Sequence, residues 1–578
     1  MTTTPRTRYR SRDWFDTPEL YGWLRRAAFK AEGFGEPAYE GRPIIGICNS
    51  WSELTHCNAH LRQVAEAVKR GVWQAGGFPL EFPVMSLGEY NMRPTTMLYR
   101  NLMSMDVEES ITANPLDGVV LLGGCDKTTP ALLMGAASAD IPAILVTGGP
   151  QLKGNWRGEE LGSCTDCRRY QQELRAERIT EEDWAELQSC IVRSPGHCMV
   201  MGTASTMAAM GEALGMALPG NAAIPAVDSR RQQLAEASGR QIVQLVEQGL
   251  RPSTILTMDA FENAIRTLHA IGGSTNAIVH LIAIAGRLGL ELPLKLFDAL
   301  SRTTPFILNL KPSGTFLMED FYYAGGVPAL LTEIAPLLHL EALTVTGQSL
   351  GTNIAGVRTH NHGVIKSLDA PLDPEGGLAV LYGSLAPDGA IIKPTAASPG
   401  LLTHRGRAVV FENHEDMERR IDDPTLEVQP DDVLVMRQGG PLGAPGMPEW
   451  GFLPLPKKLL QQGIRDMVRI SDARMSGTAF GTVVVHATPE SAAGGPLATV
   501  RTGDLIELDV PNRRLDLLVE PGEMARRLAA MPQPQAHYRR GYGWLFAQHI
   551  LQADKGCDFD FLRATSLHAP PTAGTKGF

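Results

Sequence analysis

The stretch VVLLGGCDKTTPALLMGAASADIPAILVTGGP, residues 119–150, decides the fold class of this chain. It begins with an apolar run at 119–122, continues through a helix-like segment at 130–137 and ends in a second apolar run at 141–146. Two buried strands joined through a helix of this length predict parallel pairing with a right-handed crossover. The stretch therefore predicts an α/β domain built on a parallel sheet.

The same alternation precedes this stretch. Residues 43–48 form an apolar run, residues 58–73 show a helical pattern, and residues 78–85 have the composition of the next strand. Because strands and helices keep alternating, these segments extend the predicted parallel sheet toward the N-terminus.

A long, mainly helical region follows the predicted sheet. It covers residues 200–345 and includes an Ala-, Met- and Leu-rich segment at 204–218. Helical periodicity is lost over the turn-rich residues 351–377. We therefore predict a first domain over residues 1–365, an α/β domain with a parallel sheet and added helices.

The remaining residues, 366–578, have a different pattern. Short strand-like segments alternate with Gly and Pro, which favours a β-rich, barrel-like second domain. The final residues 568–578 are predicted to form a tail. The predicted strands of this domain lie at 390–393, 408–411, 433–436 and 482–486.

Composition narrows the class of protein. A chain of 578 residues needs two domains or more, and its net charge of -10 argues against a nucleic-acid surface. No apolar run approaches the roughly 20 residues that span a bilayer, and residues 1–13 lack the apolar core of a secretory signal. Eight cysteines in so long a chain do not form a disulfide framework, so we expect a cytoplasmic protein that reserves some thiols for metal.

Residues that could carry chemistry follow the predicted strands. Cys57 comes after the first strand, Glu89 after the second and residues 125–127, Cys-Asp-Lys, after the third, while Cys198 precedes the helical segment at 204–218. In open α/β sheets, ligands gather at the carboxyl ends of strands. Three thiols are one fewer than a closed four-thiolate cluster uses, which would leave one iron open.

Each of these residues also has a structural interpretation. A single cysteine is commonly a small buried hydrophobic residue, and a single carboxylate can cap a helix. Lys127 cannot ligate a metal because an ammonium has no acceptor, so it either pairs with carboxylates or is converted chemically into an acceptor. Cys164 and Cys167 form a CxxC motif that suggests zinc or redox chemistry, but no second pair in the sequence completes such a site.

Three motifs resemble one family. They are GCDKTTP at 124–130, GGSTN at 272–276 and SDARMSG at 471–477, and together they resemble the dihydroxy-acid dehydratase and phosphogluconate dehydratase family. The resemblance extends over residues 42–562. The wording of MGTASTM at 201–207 is most similar to the sugar-acid branch, which contains the L-arabinonate and D-xylonate dehydratases.

The resemblance implies a set of site residues. It implies a 2Fe–2S cluster held by thiols, a Mg²⁺ ion held by carboxylates and a carbamylated lysine, and a serine that acts as the catalytic base. The implied cluster ligands are Cys57, Cys125 and Cys198, and the implied Mg²⁺ ligands are Glu89, Asp126, Lys127 and Glu449. The implied catalytic residues are Ser476, as the base, and Lys127.

The resemblance also implies the reaction. A sugar acid, which is an aldonate of five or six carbons, would lose water to give the 2-keto-3-deoxy acid. Ser476 as an alkoxide would take the C2 proton, Mg²⁺ would bind the carboxylate, and the cluster would act as a Lewis acid on the C3 hydroxyl. The family resemblance implies a homodimer or homotetramer, with a small-molecule substrate and neither nucleic acid nor membrane as partner.

Other functions stay open from the sequence. Within the same chemistry, the alternatives are the dihydroxy-acid dehydratase of branched-chain amino-acid synthesis and the 6-phosphogluconate dehydratase. A non-catalytic iron–sulfur protein would require loss of the base or of a Mg²⁺ ligand, and all of those residues are present. Arg93 and residues 228–231 are further candidates for contacts with a polyol or a carboxylate.

Overall fold

The computed structural model describes residues 9–17, 20–531 and 538–564. The predicted tail at 568–578 lies outside these ranges, as do residues 1–8 of the N-terminal segment. Within the described ranges, no helix combines the length and the apolar composition needed to cross a bilayer.

Four parallel strands form the sheet of the N-terminal half, in the order β2-β1-β3-β4. Side chains of β1, β3 and β4 are buried along their whole length, as expected for a parallel sheet covered on both faces, whereas the edge strand β2 is partly exposed. The predicted α/β class is confirmed. The strands are β1 (Ile44–Asn49), β2 (Phe78–Pro83), β3 (Gly118–Gly123) and β4 (Ala143–Thr147).

Helices cover the sheet and fill the region between residues 200 and 345. The described helices are α1 (Arg12–Phe15), α2 (Leu20–Ala31), α3 (Leu61–Gln74), α4 (Thr96–Thr112), α5 (Thr128–Ala139), α6 (Ser163–Arg175), α7 (Glu181–Ile191), α8 (Thr203–Ala213), α9 (Ser229–Gln248), α10 (Pro252–Ile255), α11 (Met258–Ala270), α12 (Asn276–Gly286), α13 (Leu294–Ser301), α14 (Met318–Tyr323), α15 (Gly326–Glu333), α16 (Leu350–Ile354), α17 (His414–Arg420), α18 (Lys457–Gln461), α19 (Pro521–Ala529) and α20 (Gly541–His549).

Helices α3 and α9 lie side by side against the sheet, α3 on β1 and β2 and α9 on β3 and β4. Two glycines permit their close approach. A Cβ at Gly71 would lie 1.9 Å from the carbonyl oxygen of Glu236, and one at Gly239 would lie 2.1 Å from that of Val68. A larger residue at either position would push the two helices apart.

Helix α8 is shorter than the helical segment predicted at 204–218. It ends at Ala213, and Gly215 follows with a φ of 78°, a left-handed conformation that favours glycine. Beyond this point the chain lies beside β4, where the N–H of Leu145 donates a hydrogen bond to the carbonyl of Met216. The apolar residues after Gly215 therefore belong to a turn beside the sheet.

The C-terminal half contains a closed eight-stranded barrel, which confirms the predicted barrel-like region. Strands β9 to β12 pair in parallel with their neighbours, and the remaining pairs are antiparallel except β7 with β14. A separate hairpin, β5 (Gly154–Trp156) with β6 (Glu159–Leu161), precedes α6. The barrel strands are β7 (Ala379–Gly383), β8 (Ala386–Ile392), β9 (Thr403–Phe411), β10 (Val433–Met436), β11 (Arg469–Ser471), β12 (Val483–Thr488), β13 (Leu505–Asp509) and β14 (Arg514–Leu517).

Two large apolar clusters form most of the core. One apolar cluster surrounds the sheet and the helices, and another, which includes Leu381, Ile392 and Val484, lies among the barrel strands. The division into domains at residue 365 stays a prediction, as does the homodimer or homotetramer.

Candidate active site

The segments that follow the parallel strands β1 and β3 meet at the carboxyl end of the sheet. Strand β3 ends at Gly123, and Cys125, Asp126 and Lys127 form the turn before α5 begins. A Cβ at Gly124 would lie 2.9 Å from the carbonyl oxygen of Cys57. Glycine at this position therefore lets the turn after β3 contact the segment that follows β1.

This contact brings two of the three predicted cluster thiols together. Cys57 and Cys125 are 4% and 2% exposed, and their thiols lie close enough to interact. The interaction with the Cys125 thiol and burial together raise the pKa of Cys57 well above its ordinary value, and the charge of Cys198 also raises it. Thiolates are soft ligands that iron accepts, so the donor set fits an iron–sulfur cluster.

A fourth thiol lies beside this group. The Sγ atoms of Cys164 and Cys198 are 3.7 Å apart, and the hydroxyl of Tyr90 lies 2.8 Å from Cys164 Sγ and 3.7 Å from Cys198 Sγ. Cys164 belongs to the CxxC motif for which the sequence offered no second pair. Its neighbour in space is a predicted cluster ligand, and Tyr90 spans both sulfur atoms.

Three carboxylates converge on the amine of Lys127, which is fully buried. Its Nζ lies 3.3 Å from Glu89, 3.3 Å from Asp126 and 3.2 Å from Glu449. Glu89 follows β2, whereas Glu449 follows β10 of the barrel, so this cluster joins the two halves of the chain. All four predicted Mg²⁺ ligands thus meet in one place.

The charges of this cluster are strongly interdependent. Burial, together with the charges of Glu449 and Glu89, raises the pKa of Asp126 to about 6, although the ammonium of Lys127 acts to lower it. Burial also favours the neutral form of Glu449, but the charges of Lys127 and Arg474 outweigh it and lower its pKa to about 2. Burial therefore dominates at Asp126, whereas the neighbouring cations dominate at Glu449.

Two further residues fix Glu449. Arg474 Nη1 and Asn276 Nδ2 each donate to Glu449 Oε1 at 3.0 Å. Asn276 Nδ2 also donates to the carbonyl of Met475 at 3.1 Å. Asn276 therefore links the carboxylate to the backbone next to Ser476.

Ser476 lies in the loop that follows β11 and is 8% exposed. Its Oγ is 2.8 Å from the hydroxyl oxygen of Thr478. A Cβ at Gly477 would lie 2.7 Å from Ser274 Oγ and 2.7 Å from the backbone nitrogen of Thr203, so glycine allows the loop to lie against the ends of α8 and α12. The three motifs of the sequence are thereby assembled around one site.

The carboxylate side chains of the site have the ligand type that the expected Mg²⁺ ion prefers. Within residues 9–17, 20–531 and 538–564, no three His, Cys, Asp or Glu side chains stand in a ready metal-binding arrangement. The carboxylates instead surround Lys127, whose positive charge occupies the position between them. Carboxylate oxygens are hard ligands that suit Mg²⁺, and converting the amine of Lys127 to a carbamate would add another oxygen donor.

One cation near the site was not predicted from the sequence. Arg168, on α6, stacks over the ring of Phe452 at 5.1 Å, and its Nε is buried with no hydrogen-bond partner among the described residues. It lies close enough to Glu449 and Cys164 for its charge to act on both. Nothing in the sequence distinguishes Arg168 from other arginines, because only the folded structure places it near the site.

The polar residues proposed earlier as polyol contacts are engaged within the protein. Asp228 pairs with Arg230 at 2.6 Å, and the buried Arg231 donates to Asn221 at 3.2 Å and to the carbonyl of Ile224. Arg93 donates to the carbonyl of Met92 at 3.3 Å. These contacts favour structural roles for these side chains.

Comparison with known proteins covers almost the whole chain. Residues 42–353 match the model of the dihydroxy-acid/6-phosphogluconate dehydratase N-terminal region, and residues 363–557 match that of the C-terminal region. The chain is 53% identical to the L-arabinonate dehydratase of Rhizobium leguminosarum bv. trifolii, covering 96% of each chain. It is 54% identical to the L-arabonate dehydratase of Azospirillum brasilense (96% and 97% covered) and 49% identical to the 6-deoxy-6-sulfo-D-gluconate dehydratase of Pseudomonas putida (97% and 98% covered).

Proposed function

The chain belongs to the dihydroxy-acid/6-phosphogluconate dehydratase family, and from this premise we propose that it dehydrates a sugar acid to the 2-keto-3-deoxy acid. The substrate would be a pentonate or hexonate, such as L-arabinonate or D-xylonate. The observation that carries the proposal is the meeting of Glu89, Asp126 and Glu449 on Lys127, beside clustered thiols and Ser476. This arrangement supports a single site for the proposed reaction.

The chain's own residues account for the proton transfer. The hydroxyl of Thr478, 2.8 Å from Ser476 Oγ, can donate a hydrogen bond to the alkoxide form of Ser476, which then takes the proton from C2 and becomes a neutral hydroxyl. A free serine is far too weak a base, so formation of its alkoxide requires positive charge nearby. The C3 hydroxyl leaves as water by taking up one proton, equivalent to the one that Ser476 removed from C2, and the enol that remains tautomerises to the ketone.

Two bound groups would complete the site. A 2Fe–2S cluster held by Cys57, Cys125 and Cys198, and Mg²⁺ held by the carboxylates with carbamylated Lys127, would supply Lewis-acid charge to the oxygens of the substrate. Asn276 and Arg474 would keep Glu449 oriented toward the ion.

An anaerobic assay of candidate acids tests the reaction. The panel contains L-arabinonate, D-xylonate, D-gluconate, 6-phosphogluconate and 2,3-dihydroxyisovalerate, with formation of a 2-keto acid as the readout. We expect kcat/KM for one of the unphosphorylated sugar acids to exceed that for 2,3-dihydroxyisovalerate by at least about tenfold, because a polar site discriminates against a substrate that leaves its donors unpaired. A preference for 2,3-dihydroxyisovalerate would favour the branched-chain alternative, and a preference for 6-phosphogluconate would favour the phosphorylated one.

Arg168 is expected to contact an oxygen of the substrate. Its buried Nε lacks a partner, and a hydrogen bond from a charged donor contributes about 1.5–3 kcal/mol, so Arg168→Met should raise KM for the sugar acid about 10- to 100-fold. The kcat should fall much less, because Arg168 does not touch Ser476 in the proposed reaction. Steady-state kinetics of the loaded enzyme measure both constants.

Arg169 provides the matched control, because it lies on the same helix but pairs with Asp166 at 3.1 Å and with Glu159. Arg169→Met should change KM by no more than about threefold, because the guanidinium of Arg169 is already paired with carboxylates of the protein. If Arg168 contacts the distal hydroxyls, KM for 2,3-dihydroxyisovalerate stays unchanged in Arg168→Met; if it contacts the carboxylate, both substrates weaken. An unchanged KM for every acid would remove Arg168 from substrate recognition.

A further inference from the structure

We propose that Cys164 and Cys198 form an oxidation site, and that in the cluster-free protein they close a disulfide that blocks cluster assembly. The formation of the bond stands on geometry alone. Its effect on cluster assembly rests on the proposed role of Cys198 as a cluster ligand. The oxidant we name is a small disulfide such as oxidised glutathione.

The two sulfur atoms are already in contact. Their separation is 3.7 Å, and a disulfide bond is about 2.05 Å long, so closure requires the sulfurs to approach by roughly 1.7 Å. Rotation of the two side chains is the motion that would bring the sulfurs together. Neither cysteine lies in a strand.

The fold holds both cysteines at this position. Cys164 lies in the first turn of α6, whose residue Thr165 donates to the carbonyl of Thr478 at 2.8 Å. On the other side, the carbonyl of Cys198 accepts from the hydroxyl of Ser205 at 3.1 Å. Because both backbones are anchored, the sulfurs stay close even without a cluster.

Accessibility separates this pair from the other thiol pair. Cys57 and Cys125 are also in contact, but they are almost fully buried. Cys164 and Cys198 are half-buried, and the side chain that spans them, Tyr90, is 48% exposed. A glutathione-sized oxidant therefore reaches Cys164 and Cys198 first, since exchange depends on access to the sulfur.

The chemistry is two successive thiol–disulfide exchanges. One cysteine thiolate attacks a sulfur of oxidised glutathione, forms a mixed disulfide and releases one glutathione thiolate, which takes up the proton lost by that cysteine. The second cysteine then attacks the protein sulfur of the mixed disulfide and releases the second glutathione with the second proton. Two cysteines are oxidised and one glutathione disulfide is reduced to two thiols, so atoms and electrons balance.

The experiment uses the full chain after anaerobic removal of iron. The cluster-free protein is incubated with oxidised glutathione, the remaining thiols are blocked, and peptides are mapped by mass spectrometry. We expect a peptide pair joined through Cys164 and Cys198, and loss of two free thiols. A bond between Cys57 and Cys125, a bond between Cys164 and Cys167, or no bond at all would overturn the proposal.

A second measurement follows cluster assembly rather than activity. Oxidised wild-type protein should take up iron and sulfide at least about tenfold less completely than reduced protein, and a reductant should restore uptake, because a cysteine in a disulfide cannot ligate iron. Cys164→Ser should resist this loss. Cys167→Ser, altered in the same motif, should lose uptake as wild type does.

The outcomes separate this proposal from the proposed function. Peptide mapping on wild-type protein needs no variant and no substrate. Its result therefore remains valid even if Cys164→Ser folds poorly or none of the acids in the panel is dehydrated. Equal loss of iron uptake in Cys164→Ser and wild type after oxidation would contradict the block on assembly. A mapped bond with unaffected iron uptake would show that Cys198 is not required for the cluster, which would count against the proposed ligand set.

Discussion

Replacement of Ser476 with alanine is expected to lower kcat by about 10³-fold or more while the visible absorption of the iron–sulfur cluster stays unchanged. The proton at C2 beside a carboxylate is weakly acidic, so removal of the base eliminates the first bond-breaking step. Ser476 is 8% exposed, and its hydroxyl contacts Thr478, so loss of one oxygen leaves the surrounding loop supported. Anaerobic kinetics and absorption spectra of the same sample measure both effects.

Two further variants serve as comparisons for Ser476→Ala. Cys57→Ser should bleach or destabilise the cluster and lower the iron content, because it removes a cluster ligand. Thr478→Val keeps the base but removes its hydrogen-bond partner, so its kcat should fall by a smaller factor, of about 10 to 100, as for loss of one hydrogen bond to a charged group. Turnover retained in Ser476→Ala would remove Ser476 from the role of base.

Local patterns were sufficient to predict the architecture. Apolar runs at the positions of β1, β3 and β4 are long enough and regular enough to identify buried parallel strands, and β10 was predicted with the bounds Val433–Met436 that the structure has. Because ligands gather at strand ends in such folds, Cys57 and Cys125 could be placed in one region before any contact was known. The periodicity of the chain carries this information directly.

Such local patterns do not predict contacts between segments that are distant in the sequence. Glu449 is 322 residues from Lys127, and only the family resemblance identified it as a partner. The sequence contains no second pair that would complete a site with the CxxC motif. In the structure, the neighbour of Cys164 is a single cysteine, Cys198, on another segment. Periodicity does not encode which loops meet across two halves of a chain.

The interaction of Lys127 with its carboxylates predicts the largest change in stability. In the metal-free protein, Lys127→Met should lower the free energy of unfolding by about 3–5 kcal/mol, because it leaves Glu89, Asp126 and Glu449 facing one another without the buried cation. The same variant should be inactive even when loaded, since methionine cannot be carbamylated. Chemical denaturation of metal-free protein measures the stability, and the ¹³C signal of the carbamate, after growth of the wild-type sample in labelled bicarbonate, reports the modification.

Addition of Mg²⁺ and a second substitution separate electrostatics from packing. If the three carboxylates form the ion site, Mg²⁺ should restore more stability to Lys127→Met than it adds to wild-type protein, because the ion replaces the missing positive charge. Glu449→Gln in the Lys127→Met background should recover part of the loss, since it removes one of the mutually repelling charges, and the two substitutions should therefore be non-additive. Additive effects, together with an equal response of both proteins to Mg²⁺, would mean that Lys127 only fills space and that the carboxylates around it do not hold the ion.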